Sequence, residues 1–220
     1  MAGSASHPTT PTDIGELSQR QRIIDAMIES CAEKTYAATT ITDIVAGARI
    51  SRTTFYKRFD GKRECFEAAV AHCIEQLRDL AASAHSPSDP PADAARKAAT
   101  AVLEAMAARP GLAQLLTGDA IAVDPMAIER YRAVTIPALE ALWSERGAIP
   151  EPRLDPRLAF GQVQVLILNQ IAIGRADGLP DLLPEIVYLA VGTFGGHEEA
   201  VRQARLAREQ APTARQDDVG

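Results

Sequence analysis

Apolar residues recur at a helical period along almost the whole chain. Between Arg20 and Thr35, Ile23, Ile24, Met27, Ile28 and Cys31 fall at i, i+1, i+4, i+5 and i+8, one face of a helix. A shorter unit opens at Thr40, whose hydroxyl can cap it, with Asp43 three residues on in a near capping box. Its apolar face is Ile41, Ile44, Val45 and Ala48. Arg49 and Ile50 break the pattern, Ser51 is the next capping residue, and 53–59 predict a third short helix. Asp60-Gly61 interrupts, and a long helix follows. Its stripe is Phe66, Ala69, Val70, Cys73, Ile74, Leu77 and Leu80, at i, i+3, i+4, i+7, i+8, i+11 and i+14.

The segment SAHSPSDPPAD, 83–93, reads as a linker by its Pro and Ser content. Beyond it the pattern predicts helices near 92–108, 110–118, 125–146, 156–175 and 181–208. Pro110, Pro125 and Pro156 suit helix starts, and Gly147 and Gly178 suit helix stops. The run VQVLIL, 163–168, alternates like a strand. It sits in about sixteen mostly apolar residues, too long for a usual strand, so a helix is expected there. Gly192, Gly195 and Gly196 are poor helix formers, consistent with a kink or close approach. The expected fold class is all-α, a three-helix head at 16–62 and a helical body at 63–208. Tails at 1–15 and 209–220 are expected to be disordered.

Composition changes this picture little, but charge placement changes it much. The 220 residues are 46% hydrophobic and 24% charged, with a formal net charge of −6. Residues 16–66 nevertheless carry a net +2 against −7 for 67–220, and ARISRTTFYKRFDGKR at 48–63 sets six cations beside Asp60 alone. A basic patch on an acidic body points to a local polyanion contact rather than a membrane surface. Residues 1–15 contain no secretory signal pattern, and the stretch 159–174 is polar-interrupted and shorter than a membrane span. Three cysteines in no metal or redox spacing fit a reducing cytoplasm.

Two short helices joined by a tight turn, the second polar and basic outside, describe a helix-turn-helix for double-stranded DNA. Ser51, Arg52, Thr53 and Thr54 supply short hydroxyls and a cation at the start of the reading helix, while Phe55 and Phe59 face inward. Thr40, Thr42, Arg49, Tyr56, Lys57 and Lys62 complete the DNA-binding set, the last three where phosphates would lie. The run TTITDIVAGARISRTTFYKRFDGKRECF resembles the DNA-binding signature of the TetR family of transcriptional regulators. Matching positions are Thr40, Ile44, Ala48, Ile50, Ser51, Thr54, Tyr56, Phe59, Lys62 and Phe66. The resemblance covers residues 20–66. It departs twice: Arg49 and Thr35 stand where the family usually has Gly. A non-Gly residue at positive φ in that turn costs roughly 1 kcal/mol.

The resemblance implies a sensing and dimerisation body whose last two helices pair with a second copy, on a palindromic operator. The 156–175 helix is apolar on more than one face, which independently calls for burial on several sides. Leu158, Val165, Leu168, Ala172, Ile186, Leu189 and Phe194 are the interface candidates, against the alternative that they fill the protomer's own core. Cys73, Met106, Tyr131, Trp143, Phe160, Gln164 and Asn169 are candidates for lining an effector site, each equally readable as a core residue. The expected effector is a small apolar or amphipathic molecule that shifts the spacing of the two heads and relieves repression. No Gly-rich phosphate loop or nucleophile elbow appears, so no enzyme, cofactor or metal is expected. A helical adaptor with a vestigial head is the alternative from another class.

Overall fold

The computed structural model describes residues 11–124, 126–144 and 154–210, and every element among them is helical. The order is α1 (Pro11–Ala38), α2 (Ile41–Gly47), α3 (Arg52–Tyr56), α4 (Lys62–Ser83), α5 (Pro91–Ala108), α6 (Pro110–Gln114), a π-type turn (Leu115–Asp119) and α7 (Ala120–Val123). It continues with α8 (Ala127–Ser144), α9 (Pro156–Ala172), a 3-10 turn (Ala176–Leu182), α10 (Leu183–Phe194) and α11 (His197–Gln210). The expected helix starts and stops at Pro125 and Gly147 lie outside the described residues, as do 1–10 and 211–220. Residues 11–15, expected in a tail, belong to α1. The predicted 181–208 helix is two helices, parted where Gly195 closes α10 and Gly196 takes φ 84°.

The chain forms two compact units, 1–72 and 73–220, a division inside α4 rather than at the expected residue 62. In the first unit, the apolar faces of α1, α2, α3 and α4 meet. Ile23, Ile24, Met27, Ile44, Phe55, Cys65 and Phe66 are each at most 1% exposed. Burying seven such side chains at ~1.5–3 kcal/mol each is what holds short helices α2 and α3, which would not form alone.

The corner between α2 and α3 is a Schellman motif. The Arg49 N–H donates to the Ala46 carbonyl (3.2 Å) and the Ile50 N–H to the Val45 carbonyl (3.1 Å). The motif needs a left-handed residue at its C′ position, usually Gly, and Arg49 supplies it at φ 53°. α9 ends in the same motif: Gly174 donates to Ile171 and Arg175 to Gln170, both at 2.9 Å, and there Gly174 takes φ 74°. Near its end α1 is broken by Thr35, at φ 73° and ψ 159°.

The second unit packs α5, α8, α9 and α10 around Leu103, Met106, Trp143, Ile167, Val187 and Val191. Trp143 stacks on Phe194 with ring centroids 5.3 Å apart. One buried polar network ties α5 to α11. Arg96 Nε donates to Gln203 Oε1 (2.8 Å), and Gln203 Nε2 donates to Asp93 Oδ1 (2.7 Å). Among the described residues, no helix is long and apolar enough to cross a membrane.

Candidate functional site

The reading head is assembled by capping. Thr40 Oγ1 accepts the Asp43 N–H (3.2 Å) while Asp43 Oδ2 accepts the Thr40 N–H (2.9 Å), closing a capping box at the start of α2. Lys34 Nζ sits 2.7 Å from Asp43 Oδ1. That bond first, then those from Thr40, holds the Asp43 carboxyl down at about 2. Ser51 Oγ accepts the Thr54 N–H (3.0 Å) and lies 2.9 Å from Thr54 Oγ1, starting α3. Thr40, Ser51 and Thr54 are therefore engaged in making the helices.

Lys62 is also turned inward. Its Nζ donates to the carbonyls of Tyr36 (2.9 Å) and Thr39 (2.8 Å) and lies 4.1 Å from the Tyr36 ring centroid. It bridges the exit of α1 just beyond the break at Thr35, where the Tyr36 carbonyl also accepts the Thr39 N–H (3.2 Å). Arg63 is held by Glu67 at 2.9 Å.

Thr42, Arg49, Arg52, Thr53, Tyr56 and Lys57 remain on the outer surface, with Tyr56 49% exposed. Arg49, Arg52 and Lys57 form no ion pair with a described residue. Three uncommitted cations flank short hydroxyls and a phenol on a surface whose underside is Phe55 and Phe59. That combination suits backbone and base-edge contacts in a major groove.

The second unit encloses a cavity of about 480 Å³. Of the residues expected to line a site, Met106, Tyr131, Phe160 and Gln164 line this cavity. Cys73 and Trp143 do not: both are packed into core. Asn169 does not either, since it faces out from α9. The sequence reading missed the α4 face of Ile74, Leu77 and Arg78 with His85 just past its end, and the α5 face of Ala98, Ala99 and Val102. Their signal was present. Small residues on a helix face leave volume that neighbours do not fill. The Tyr131 hydroxyl donates to the Leu116 carbonyl (2.9 Å), a group within the π-type turn, and burial pushes its phenol well up from the ordinary value.

Of the interface candidates, Leu158 and Val165 are exposed (63% and 49%), Ala172 is exposed, and Leu168 and Leu189 are half-buried. Ile186 and Phe194 are corrected: at 7% and 3% exposed they belong to the protomer's own core, Phe194 against Trp143. Ile173 (65%) and Tyr188 (40%) are exposed apolar residues that the sequence reading did not single out.

A capped helix-turn-helix with an exposed cationic face, followed by an all-helical body, defines a DNA-binding regulator class. Within it, residues 23–69 match the model of "Bacterial regulatory proteins, tetR family". The chain is 33% identical over 61 residues to the biofilm operon icaADBC HTH-type negative transcriptional regulator IcaR of Staphylococcus aureus. That match takes in 28% of this chain and 33% of the relative, so the chain spans about a third of that relative's length. The fold as a whole is similar to the fatty acid degradation regulator FadR from Bacillus halodurans (TM-score 0.67, 19% identity, 84% of this chain and 97% of that one). It is also similar to FadR from Bacillus subtilis in complex with stearoyl-CoA (TM-score 0.65, 19% identity, 79% and 98%).

Proposed function

We propose that this protein is a cytoplasmic homodimeric repressor that binds a palindromic operator and is released from it by a small apolar or amphipathic effector. The observation that carries the reading is the exposed, unpaired set of Arg49, Arg52 and Lys57 beside Thr42, Thr53 and Tyr56 on a TetR-type head. The repressor sense is supported by the relative titled a negative transcriptional regulator. The effector is supported by the cavity and by a fold relative that holds stearoyl-CoA. Dimerisation is supported by the exposed stripe Leu158, Val165 and Ala172, at i, i+7 and i+14 along α9, with Tyr188 on α10. Palindromic half-sites ~34–36 Å apart require two heads. α4 is the element through which an effector acts in this reading. Ile74 and Leu77 touch the cavity, and Phe66 on the same helix is buried in the head.

The test is fluorescence anisotropy with DNA from beside the protein's own gene, across a salt series and against excess random duplex. Specific nanomolar binding is expected. Arg52→Ala with Tyr56→Ala should weaken it by roughly tenfold or more and lower the salt slope by about one. Binding that is weak and equal for every sequence at all salt concentrations, in protein refolded free of ligand, would sink the reading.

A further inference from the structure

We propose that the cavity is built for a carboxylate-headed amphiphile, its head against His85 and Arg78 and its chain among the alanines and leucines beyond. The proposal deepens the effector reading above and rests on it for its link to DNA. The lining is overwhelmingly aliphatic, and besides Arg78 and His85 its polar residues are Thr117, Tyr131, Thr135, Gln164 and Thr193. Thr117, Tyr131 and Thr193 each donate their hydroxyl to a main-chain carbonyl, those of Ala113 (2.7 Å), Leu116 (2.9 Å) and Leu189 (2.8 Å).

The exception lies where α4 gives way to the 84–90 linker. Arg78 and His85, seven residues apart, both line the cavity from this side. His85 Nδ1 is buried with no hydrogen-bond partner among the described residues. A buried polar atom left unmatched is rare in native proteins, so a ligand atom is the economical partner. The nearby acid is taken: Asp89 accepts from Lys97 Nζ (2.7 Å) and from the Ser86 N–H (2.8 Å). Among the described residues Arg78 pairs with its sequence neighbour Asp79, both side chains more than half exposed (52% and 71%), and feels Glu75 through space, a surface pairing too weak to hold it from a ligand. A guanidinium and an imidazole that presents its Nδ1–H to the same cavity favour a carboxylate, accept an alcohol less well and repel an ammonium. At interior packing density the volume holds on the order of 20 non-hydrogen atoms, enough for a medium-length acyl chain.

The experiment uses the full-length protein and three probes of one length: dodecanoate, dodecan-1-ol and dodecylammonium, each kept below its micelle concentration in calorimetric titrations. Dodecanoate should bind at least about tenfold tighter than the other two, the scale of one charge-assisted hydrogen bond. His85→Leu should erase that preference while leaving the alcohol unchanged, and Arg78→Gln should reduce it. Ala99→Trp should block all three probes in a protein that still melts cooperatively. Equal binding of the three, a preference surviving His85→Leu, or no binding at all overturns the proposal. Selective dodecanoate binding that leaves the operator complex intact supports the head-group assignment and sinks the release reading, so the two can fail separately.

Discussion

Thr35 and Arg49 are the two non-glycine residues at positive φ among those described, and they are the two positions where the family signature puts Gly. Thr35, at φ 73° and ψ 159°, occupies a region that is almost a glycine preserve, at ~1–3 kcal/mol. Thr35→Gly should therefore raise head stability by about 1 kcal/mol after the added freedom of the unfolded chain is subtracted, read as a shift in urea midpoint. Arg49→Gly should stabilise by a similar amount but weaken operator binding, because it removes an exposed cation; the two readouts moving in opposite directions is the outcome to look for. Asp43 belongs to the same scale. Its carboxyl is held at about 2 when folded, against an unfolded value near 4. Its contribution to stability is thus fully present above about pH 4 and lost as the pH falls through 2. Asp43→Asn should flatten that part of the acid-denaturation curve. An unchanged curve would show that the capping box contributes nothing through its charge.

At the scale of elements, the capping residues, the apolar stripes and the loop prolines located most helices, because each is a local signal. The π-type turn at Leu115–Asp119 had none. It is a wider turn that leaves the Leu116 carbonyl to be met by Tyr131 from α8, fifteen residues away. Tyr131→Phe should cost about 1–3 kcal/mol by leaving that carbonyl unmatched. In the native protein Tyr131 should resist ionisation in an alkaline absorbance titration well past the ordinary phenol range, and Tyr131→Phe should remove that late transition. The docking of α11 on α5 rests on a buried polar network instead of a larger apolar face. Gln203 is wholly buried, and Gln203→Leu would leave the guanidinium of Arg96, itself 9% exposed, without its Nε partner. A loss of about 2–4 kcal/mol is expected in urea unfolding, larger than for a typical Leu-sized surface change.

For the whole molecule, the exposed stripe of Leu158, Val165 and Ala172 on α9 is the feature that one chain alone leaves unexplained. Leu158→Lys with Val165→Lys should shift the protein toward monomer in sedimentation velocity and reduce operator affinity by well over tenfold, since each head alone spans one half-site. A dimer that survives the double substitution would place the interface elsewhere. The head was legible in the sequence because its information is local: caps, spacing and charge sit within about fifty consecutive residues. At Lys62 that same locality shows only a cation at a helix start. Only the folded corner of α1 brings the carbonyls of Tyr36 and Thr39 to its amine. Likewise Ile186 and Phe194 share the apolar character of Leu158 and Val165, and hydropathy cannot tell which side of a helix meets its own chain. The helical class and the helix-turn-helix were determined by periodicity and capping, which act between near neighbours, as does the charge that marks the head's outer face. Which apolar residues are core and which are bare, and where alanine faces leave a cavity ending at His85, was decided by packing between helices distant in sequence.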